Sequence, residues 1–339
     1  MVEASRGYVD VFDLQRRAGD RLARLTGNEA AYVANGATGG LFLATLACMT
    51  GCDQRAISRL PSLEGLRDEV IVHRTHRMPL DLAVLLAGAT FVEIGNRLVT
   101  SVGDLEAAIG ERTAAVLYMA GDFYRVGALS LEETVDIAHA HELPVVVDAA
   151  EQVPPSENLW RCTRELGADL AVFSGGKGIC GPQASGLVVG RRDLVEACYQ
   201  NGYPHTRLGR ALKVGKEEIV GLLAAVELCL SDDYPARVAA WNAVVDAWER
   251  ALGDLPGVSV QQVFPTWSPS VARLLLEVGP GNGFTAQDLC DGLLRGDPAV
   301  AVEIPPNTSQ VFANPEPLEP GEESVVVDRI REVVLALRP

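Results

Sequence analysis

The most informative segment of the chain is Asp169-Leu170-Ala171-Val172-Phe173-Ser174-Gly175-Gly176-Lys177-Gly178. Its first half is a short apolar run typical of a buried strand, and its second half is a glycine-rich loop that carries a lysine. A phosphate-binding P-loop would need serine or threonine after the lysine and a glycine five positions before Gly176, where the chain has Gly178 and Ala171. The loop is therefore either a structural glycine turn or, as we expect, a place where a ligand approaches closely.

An aspartate ends the preceding apolar run. Pro144-Val145-Val146-Val147 is followed by Asp148, and one predicted helix separates this strand from the lysine loop. The carboxyl ends of parallel strands open onto the crevice in which α/β sheets bind ligands. An aspartate at such a position is also a common helix cap. Because the lysine loop follows the next strand, we expect Asp148 and Lys177 to meet in the same crevice.

Short apolar runs alternate with longer segments of helical period from about residue 30 to residue 230. This alternation predicts an α/β domain with a largely parallel central sheet and helices on both faces. The predicted strands are Ala30–Ala34, Glu69–His73, Thr90–Ile94, Ala114–Met119, Pro144–Asp148, Asp169–Phe173 and Ser185–Val189. The predicted helices include Thr38–Cys48, Leu80–Ala87, Leu131–His141 and Asn158–Leu166.

The rest of the chain predicts a smaller C-terminal α+β domain. The connection to the large domain is a predicted helix from about Pro235 to Leu252, followed by the turn-rich segment Gly253–Gly257. The predicted elements of the smaller domain are strands Val258–Val263, Val271–Val278 and Ala299–Ile304, an exposed loop Pro305–Gly321 and a final helix Glu322–Leu337. We therefore divide the chain into an N-terminal helical segment (1–29), a large domain (30–234) and a small C-terminal domain with its connecting helix (235–339).

A second glycine-rich turn follows the first predicted strand. In Asn35-Gly36-Ala37-Thr38-Gly39-Gly40 the turn opens a helix, so its backbone N–H groups and the Thr38 hydroxyl can bind a phosphate. The turn lacks the spacing of a dinucleotide fingerprint, which favours a monophosphate. After the next strand comes His76, whose imidazole either stacks on a flat ring or lies at the surface.

Four features occur in order along the chain: the phosphate-binding turn, the imidazole, the carboxylate at a strand end and the lysine on its loop. Together they provide the groups that a site for pyridoxal 5′-phosphate (PLP) requires. The carboxylate keeps the pyridine nitrogen protonated so that the ring acts as an electron sink. The lysine amine forms a Schiff base with the cofactor and later moves protons at the substrate. We therefore predict PLP as the cofactor, held by Lys177 in a fold type I PLP-dependent transferase fold.

Composition excludes several classes of function. The 339 residues include 29 Lys+Arg and 45 Asp+Glu, and the net charge of −16 repels a nucleic-acid backbone. The seven cysteines lack the paired spacing of a disulfide framework or a zinc site, so no metal is predicted. No apolar run is long enough to span a bilayer and the N-terminus has no signal pattern. We expect a cytoplasmic protein without nucleic-acid or membrane partners.

Several stretches carry a resemblance to a known family. They are Val147-Asp148-Ala149-Ala150-Glu151-Gln152-Val153-Pro154-Pro155, Glu157-Asn158-Leu159-Trp160, the lysine loop, Gly181-Pro182-Gln183, Leu208-Gly209-Arg210 and Lys213-Val214-Gly215-Lys216-Glu217-Glu218-Ile219-Val220-Gly221. In these stretches the chain resembles bacterial selenocysteine synthase (L-seryl-tRNA selenium transferase) and its tRNA-independent relatives. The resemblance covers nearly the whole chain from about Leu14, and it is most specific between Asp148 and Gly221.

The resemblance implies a role for each matched position. Lys177 matches the Schiff-base lysine, Asp148 the partner of the pyridine nitrogen and His76 the ring stacker, and Gln152 lies near the ring hydroxyl. The phosphate cradle is implied at Gly36, Ala37, Thr38 and Ser174. Arg210 and Lys213 match positions at which related enzymes send residues from the partner subunit to the cofactor phosphate or the substrate carboxylate. This implies a homodimer or higher homo-oligomer with shared sites.

The resemblance also implies a PLP-dependent lyase or transferase that acts on a small amino acid or amino-sugar acid. The favoured reaction is an elimination of the ammonia-lyase type, through an external aldimine and a quinonoid. A phosphorylated substrate would be bound by Arg207, Arg210, Lys213 and Lys216. An aminotransferase or racemase is an alternative, since the same lysine chemistry serves all three reactions. A catalytically silent partner protein of this fold is the alternative of another class, and the presence of both Asp148 and Lys177 counts against it.

Overall fold

A seven-stranded sheet forms the centre of the first of two compact units, Met1–Asp232 and Asp233–Pro339. The computed structural model describes residues 1–265, 270–305 and 308–338, and of residues 122 and 123 only the backbone. The strands are β1 (Ala30–Ala34), β2 (Glu69–His73), β3 (Thr90–Ile94), β4 (Thr113–Met119), β5 (Val145–Asp148), β6 (Leu170–Ser174) and β7 (Gly186–Gly190). Their order across the sheet is β1-β7-β6-β5-β4-β2-β3.

All strands of this sheet except β7 run in one direction. The pairs β2–β3, β2–β4, β4–β5 and β5–β6 are parallel, whereas β7 is antiparallel to both β6 and β1. It follows that β1 runs parallel to β6, and that the carboxyl ends of β1, β2, β4, β5 and β6 lie at one edge of the sheet. This mostly parallel arrangement confirms the predicted α/β class.

Helices cover both faces of the sheet, which explains why its strands are almost entirely apolar. Along β5, for example, Val145 and Val147 belong to the buried cluster on one face and Val146 to the cluster on the other. Helices α2, α6, α7, α8 and α10 contribute to the first cluster, and α3, α5 and α9 contribute to the second. The helices are α1 (Val2–Ser5), α2 (Val11–Thr26), α3 (Gly36–Thr50), α4 (Gln54–Arg59), α5 (Leu82–Leu86), α6 (Val102–Ala108), α7 (Leu131–Ala140), α8 (Asn158–Trp160), α9 (Arg192–Asn201) and α10 (Lys216–Ser231).

Two predicted helices are shorter in the structure. The helix predicted at Asn158–Leu166 is α-helical only in α8 and continues as a π-helical turn over Arg161–Glu165. In the segment predicted as Leu80–Ala87, a 3-10 turn at Pro79–Asp81 precedes α5. Among the helices of the described residues, none has the length and apolar character needed to cross a membrane.

The second unit is a small antiparallel sheet with three helices. Its strands β8 (Val258–Val263), β9 (Arg273–Val278) and β10 (Gln310–Ala313) are arranged β10-β9-β8, and its helices are α11 (Tyr234–Leu252), α12 (Ala286–Leu294) and α13 (Glu322–Leu337). The indole of Trp248 is buried among these elements and donates a hydrogen bond to the Glu323 carbonyl at 2.9 Å.

The strand predicted at Ala299–Ile304 is wrong. Its apolar side chains pack against the core of the second unit, but Glu303 makes only an isolated bridge to Phe312. The third strand is β10, which lies within the segment predicted as a loop, Pro305–Gly321. Residues 306 and 307 of that segment lie outside the described residues.

Candidate functional site

The residues predicted from the sequence gather at the carboxyl edge of the large sheet. Each lies at or just beyond the end of a strand that runs towards this edge. In the sheet, β7 separates β1 from β6, and β4 separates β5 from β2. The residues are Gly36, Ala37 and Thr38 after β1, His76 after β2, Asp148 and Gln152 after β5, and Ser174 and Lys177 after β6. Ligands of open α/β sheets bind at this edge.

The turn after β1 leaves the start of α3 open. Gly36 has φ +65°, and no atom lies within 4 Å of the position that a Cβ on it would occupy. No side chain caps the helix, because the Asn35 side chain instead donates to the Lys213 carbonyl at 3.0 Å. The backbone N–H groups of the first turn of α3 can therefore receive an anion.

Ser174 lies beside the start of α3 because of the way β7 is placed. In the sheet Gly186 pairs with both Ser174 and Ala34. A Cβ on Gly186 would overlap the Gly36 carbonyl, so only glycine lets the turn after β1 pack this closely on β7. The contact brings the end of β6 next to the anion-binding turn.

The glycines of the lysine loop have a structural cause. A Cβ on Gly178 would overlap the Val153 carbonyl oxygen, and one on Gly176 would overlap the Gln183 side chain. The expectation that a ligand explains these glycines is therefore wrong, because the chain itself fills the space beside them. Such packing holds the loop in place, while the Lys177 side chain remains 37% exposed.

Lys177 is paired with a carboxylate that the sequence analysis did not select. Its Nζ lies 2.5 Å from Oε1 of Glu151, whose side chain is 72% exposed. Asp148, three residues before Glu151, is buried and accepts the Ala150 N–H at 3.0 Å. Burial raises the pKa of Asp148, and the Ala150 hydrogen bond and the charge of Lys177 oppose that rise. Two carboxylates in contrasting environments thus flank one amine.

His76 reaches the same edge but is enclosed by protein. Its ring is completely buried and packs edge-on against Tyr118, with 4.7 Å between ring centroids. In this conformation neither face of the imidazole is open to a ligand.

Tyr124 is an aromatic side chain near both carboxylates of the site. The pKa of its phenol is raised by burial and by the charges of Glu151 and Asp148.

Four further cations differ in their surroundings. Arg210 and Lys213 both lie over the Tyr203 ring, at 4.9 and 5.7 Å from its centroid. Arg207 bonds instead to Ser58 and Gln54, and Lys216 bonds to the Ala4 carbonyl and to Glu217. Because the Lys213 carbonyl binds Asn35, the segment that carries Arg210 and Lys213 runs beside the start of α3 in its own chain.

In the part of the chain that the structure describes, no group of three or more histidine, cysteine, aspartate or glutamate side chains is arranged to hold a metal ion. Glu151 and Tyr124 are the members of the site that the sequence analysis missed. The only available sign of Glu151 was its position three residues after Asp148, which does not reveal where its side chain points.

Comparison with known proteins identifies the family. Residues 13–241, more than half of the chain, match the family model described as L-seryl-tRNA selenium transferase. The chain belongs to the L-seryl-tRNA selenium transferase family. The predicted resemblance is therefore confirmed.

Two curated relatives match along almost the whole chain. The 5′-C-glycyluridine monooxygenase-decarboxylase of a Streptomyces species is 32% identical, over 99% of this chain and 84% of the relative. The D-glucosaminate-6-phosphate ammonia lyase of Salmonella typhimurium is 30% identical, over 97% of this chain and 88% of the relative.

Solved structures confirm the fold. A D-glucosaminate-6-phosphate ammonia-lyase superimposes with a TM-score of 0.86 at 28% identity, covering 99% of this chain and 89% of that one. A serine palmitoyltransferase from S. paucimobilis with bound PLP superimposes with a TM-score of 0.58 at 15% identity, covering 98% of this chain and 78% of that one. The fold is that of fold type I PLP-dependent enzymes.

Proposed function

We propose that this protein is a PLP-dependent enzyme that eliminates a β-substituent and releases ammonia from a small amino acid or amino-sugar acid. The observation that carries the proposal is the meeting of three groups at one sheet edge: the Lys177 amine, the buried Asp148 carboxylate and the uncapped start of α3. The amine would bind the aldehyde of the cofactor, the carboxylate would face its pyridine nitrogen, and the start of the helix would bind its phosphate.

The scarcity of lysine supports the assignment of Lys177. The chain has lysine only at positions 177, 213 and 216. Lys216 is bonded to Ala4 and Glu217, at 2.7 and 2.6 Å, and Lys213 lies over the Tyr203 ring. Of the three amines, only that of Lys177 extends from the loop beside Asp148, so it is the residue that would form the Schiff base.

The surroundings of Asp148 fit a protonated pyridine nitrogen. The residue is 6% exposed and burial raises its pKa, so a cationic ring N–H opposite it would stabilise the ionised form. The open space at Gly36, the backbone of Ala37 and the hydroxyls of Thr38 and Ser174 fit the phosphate. Gln152, on the turn after Asp148, would face the ring hydroxyl.

When bound, PLP would supply an aldehyde for the substrate amine and an electron sink for the α-carbon. The Lys177 amine would accept the proton from Cα, and Asp148 would keep a proton on the pyridine nitrogen. His76, predicted as the ring stacker, has no open ring face here and would instead hold the backbone at Met119 and Tyr124 beside the cofactor. Arg210 and Lys213 would hold the cofactor phosphate or an anionic group of the substrate, with the nearby Arg207 as a further cation.

The name of the Salmonella typhimurium relative, an ammonia lyase for a phosphorylated amino-sugar acid, supports elimination and this class of substrate. Oxidative decarboxylation is a second candidate, supported by the Streptomyces relative named as a monooxygenase-decarboxylase. Transamination and racemisation use the same lysine and stay as alternatives, as does a catalytically silent protein of this fold.

Cofactor attachment is tested by adding PLP to the purified protein and recording the visible absorbance before and after borohydride reduction. We expect an absorbance band and, after reduction, a pyridoxyl group on the peptide of Lys177, with the peptides of Lys213 and Lys216 unmodified. Lys177→Ala should abolish both signals. A protein that takes up no PLP would support the silent alternative instead.

The reaction type is tested by product analysis with a panel of amino acids and amino-sugar acids. Elimination predicts ammonia and a 2-oxo acid without any amino acceptor and without oxygen uptake. Product formation that depends on an acceptor indicates transamination, an inverted substrate indicates racemisation, and oxygen uptake with release of carbon dioxide indicates oxidative decarboxylation. Each of these last three results would replace elimination as the function.

We also propose that the enzyme is a cytoplasmic homodimer or higher homo-oligomer that shares residues between its sites. None of the seven cysteines, all of which lie in the described part of the chain, forms a disulfide, which suits a reducing compartment. The proposed large domain, 30–234, would bind the cofactor, with the segment 1–29 and the domain 235–339 completing each subunit. Sedimentation of the purified protein tests the dimer.

A further inference from the structure

Glu151 bonds directly to the amine at the centre of the site, and the proposed function gives it no role. Its Oε1 lies 2.5 Å from Lys177 Nζ. We propose that Glu151 is the general acid that protonates the departing β-hydroxyl of the substrate, using the proton that Lys177 removes from Cα. This role rests on the proposed function.

The two carboxylates of the site are suited to different tasks. Asp148 is 6% exposed and is fixed by the Ala150 N–H, whereas Glu151 is 72% exposed and its carboxylate is bonded to Lys177. A buried, fixed carboxylate suits a static charge beside the cofactor ring. A carboxylate that is hydrogen-bonded to the base and open to the substrate side lies where it can pass a proton from the base to a leaving group.

Backbone hydrogen bonds hold Glu151 and Lys177 on adjoining loops. The Gln152 N–H donates to the Ala149 carbonyl at 3.0 Å and closes the turn that carries Glu151. The Ser174 N–H donates to the Ala150 carbonyl at 3.4 Å and ties that turn to the end of β6, three residues before Lys177. The contact between the two side chains therefore follows from the course of the backbone.

Lys177 and Glu151 together can carry the proton that the elimination moves from Cα to the leaving oxygen. The Cα–H bond breaks and its proton passes to Lys177 Nζ, while the electron pair left on Cα forms the Cα–Cβ double bond as the Cβ–O bond breaks. The proton passes from Nζ to Glu151 Oε1 and on to the leaving oxygen, which departs as water. The step needs no oxidant or reductant. Because the hydrogen and the hydroxyl leave from adjacent carbons, the base and the acid must be neighbours, as Lys177 and Glu151 are.

A pair of substrates that differ only in the leaving group tests this role. The first is a β-hydroxy amino acid that the wild-type enzyme converts to a 2-oxo acid, and the second is its β-chloro analogue, whose chloride leaves without a proton. For Glu151→Gln we expect a loss of about 10²-fold or more in kcat with the hydroxy substrate, the scale of general acid catalysis, and a change of only a few fold with the chloro analogue.

The matched control is Glu157→Gln, an exposed glutamate that follows on the same segment and bonds to Ser156. It should leave both rates unchanged. If Glu151→Gln slows both substrates equally, or slows neither, Glu151 is not the acid for the leaving group. If the wild-type protein eliminates from no substrate, the proposed function fails and the acid role fails with it.

A measurement on the cofactor-free protein tests the ion pair without any turnover. Trinitrobenzenesulfonate modifies unprotonated amines, and mass spectrometry distinguishes the peptides of the three lysines. Loss of the carboxylate in Glu151→Gln should raise the labelling rate of Lys177 several fold, while Lys213 and Lys216 label as before and Glu157→Gln has no effect. An unchanged rate at Lys177 would show that the two side chains do not share a proton in solution, and it would overturn the role of Glu151.

Discussion

The imidazole of His76 accepts a hydrogen bond from the backbone N–H of Met119 through Nδ1, at 3.2 Å. Because an amide N–H only donates, Nδ1 is unprotonated, and Nε2–H donates to the Tyr124 carbonyl at 2.9 Å. The ring is thus a single neutral tautomer held by the backbone at the end of β4 and in the turn that follows. Burial lowers the pKa of His76 to about 4.

We expect the free energy of unfolding to fall as the pH is lowered from 6.5 towards 4. The unfolded chain binds a proton at His76 near its ordinary pKa of 6.5, whereas the folded chain resists protonation until about 4, so acid favours unfolding. The loss should approach about 3 kcal/mol for this histidine. Urea unfolding of the wild type and of His76→Gln across this range measures it, with His141→Gln, at an exposed position, as the control. Equal pH dependence in the wild type and His76→Gln would contradict the prediction.

Asp148→Asn should separate catalysis from stability. The amide keeps the shape of the side chain but cannot hold a proton on the pyridine nitrogen, so we expect kcat to fall by about 10²-fold or more. Burial raises the pKa of Asp148, which means that ionisation costs folding energy, and the variant should be at least as stable as the wild type. Steady-state kinetics and thermal unfolding test both parts against Asp136→Asn, on the exposed face of α7. Full activity of Asp148→Asn would refute the proposed role.

Gly178→Ala should lower both stability and cofactor uptake. The added Cβ would overlap the Val153 carbonyl, so one of the two loops must move, at a cost of about 1–3 kcal/mol. Since the loop carries Lys177, its displacement should also slow the uptake of PLP. Gly110→Ala is the control, because nothing lies within 4 Å of its Cβ position. Thermal unfolding and absorbance titration with PLP measure the two effects, and equal behaviour of the variants would rule out the steric argument.

Asp169→Ala should be far more damaging than Asp193→Ala, although both aspartates bind Arg191. Asp169 is buried at the start of β6 and accepts from His139, the Val145 N–H and Arg191, at 2.9, 2.7 and 2.5 Å. Removing it leaves the buried Val145 N–H and His139 without their acceptor and leaves Arg191 bonded to Asp193 alone, for which we expect a loss of about 3 kcal/mol in the free energy of unfolding. Asp193 is 66% exposed, and its loss should cost about 1 kcal/mol or less. Urea unfolding that gives equal losses would contradict this difference.

The strands of the large sheet could be predicted because burial on both faces produces continuous apolar runs. All seven predicted strands agree with the structure to within one residue at each end. The third strand of the small sheet could not be predicted in this way. Val311 and Phe312 form a short apolar run in a segment rich in proline and glutamate, whereas the longer apolar series before it, Ala299–Ile304, packs without forming a ladder.

At the site, the sequence predicts which residues end the strands but not what their side chains touch. The order of the motifs was enough to bring Asp148 and Lys177 to one edge. The contact between Lys177 and Glu151 depends on a hydrogen-bonded turn, and the burial of His76 depends on Tyr118 and Tyr124, which are distant from it in sequence. Such contacts between distant segments leave no local pattern.

The position of β7 between β1 and β6 has a consequence for biosynthesis. Gly186 links Ala34 to Ser174, so the anion-binding turn and the lysine loop come together only through a strand that the ribosome adds after both of them. A nascent chain that stops before β7 has both halves of the site without the strand that joins them. Contacts of such long sequence separation form late in folding, so the cofactor should be captured only by a chain whose sheet is complete.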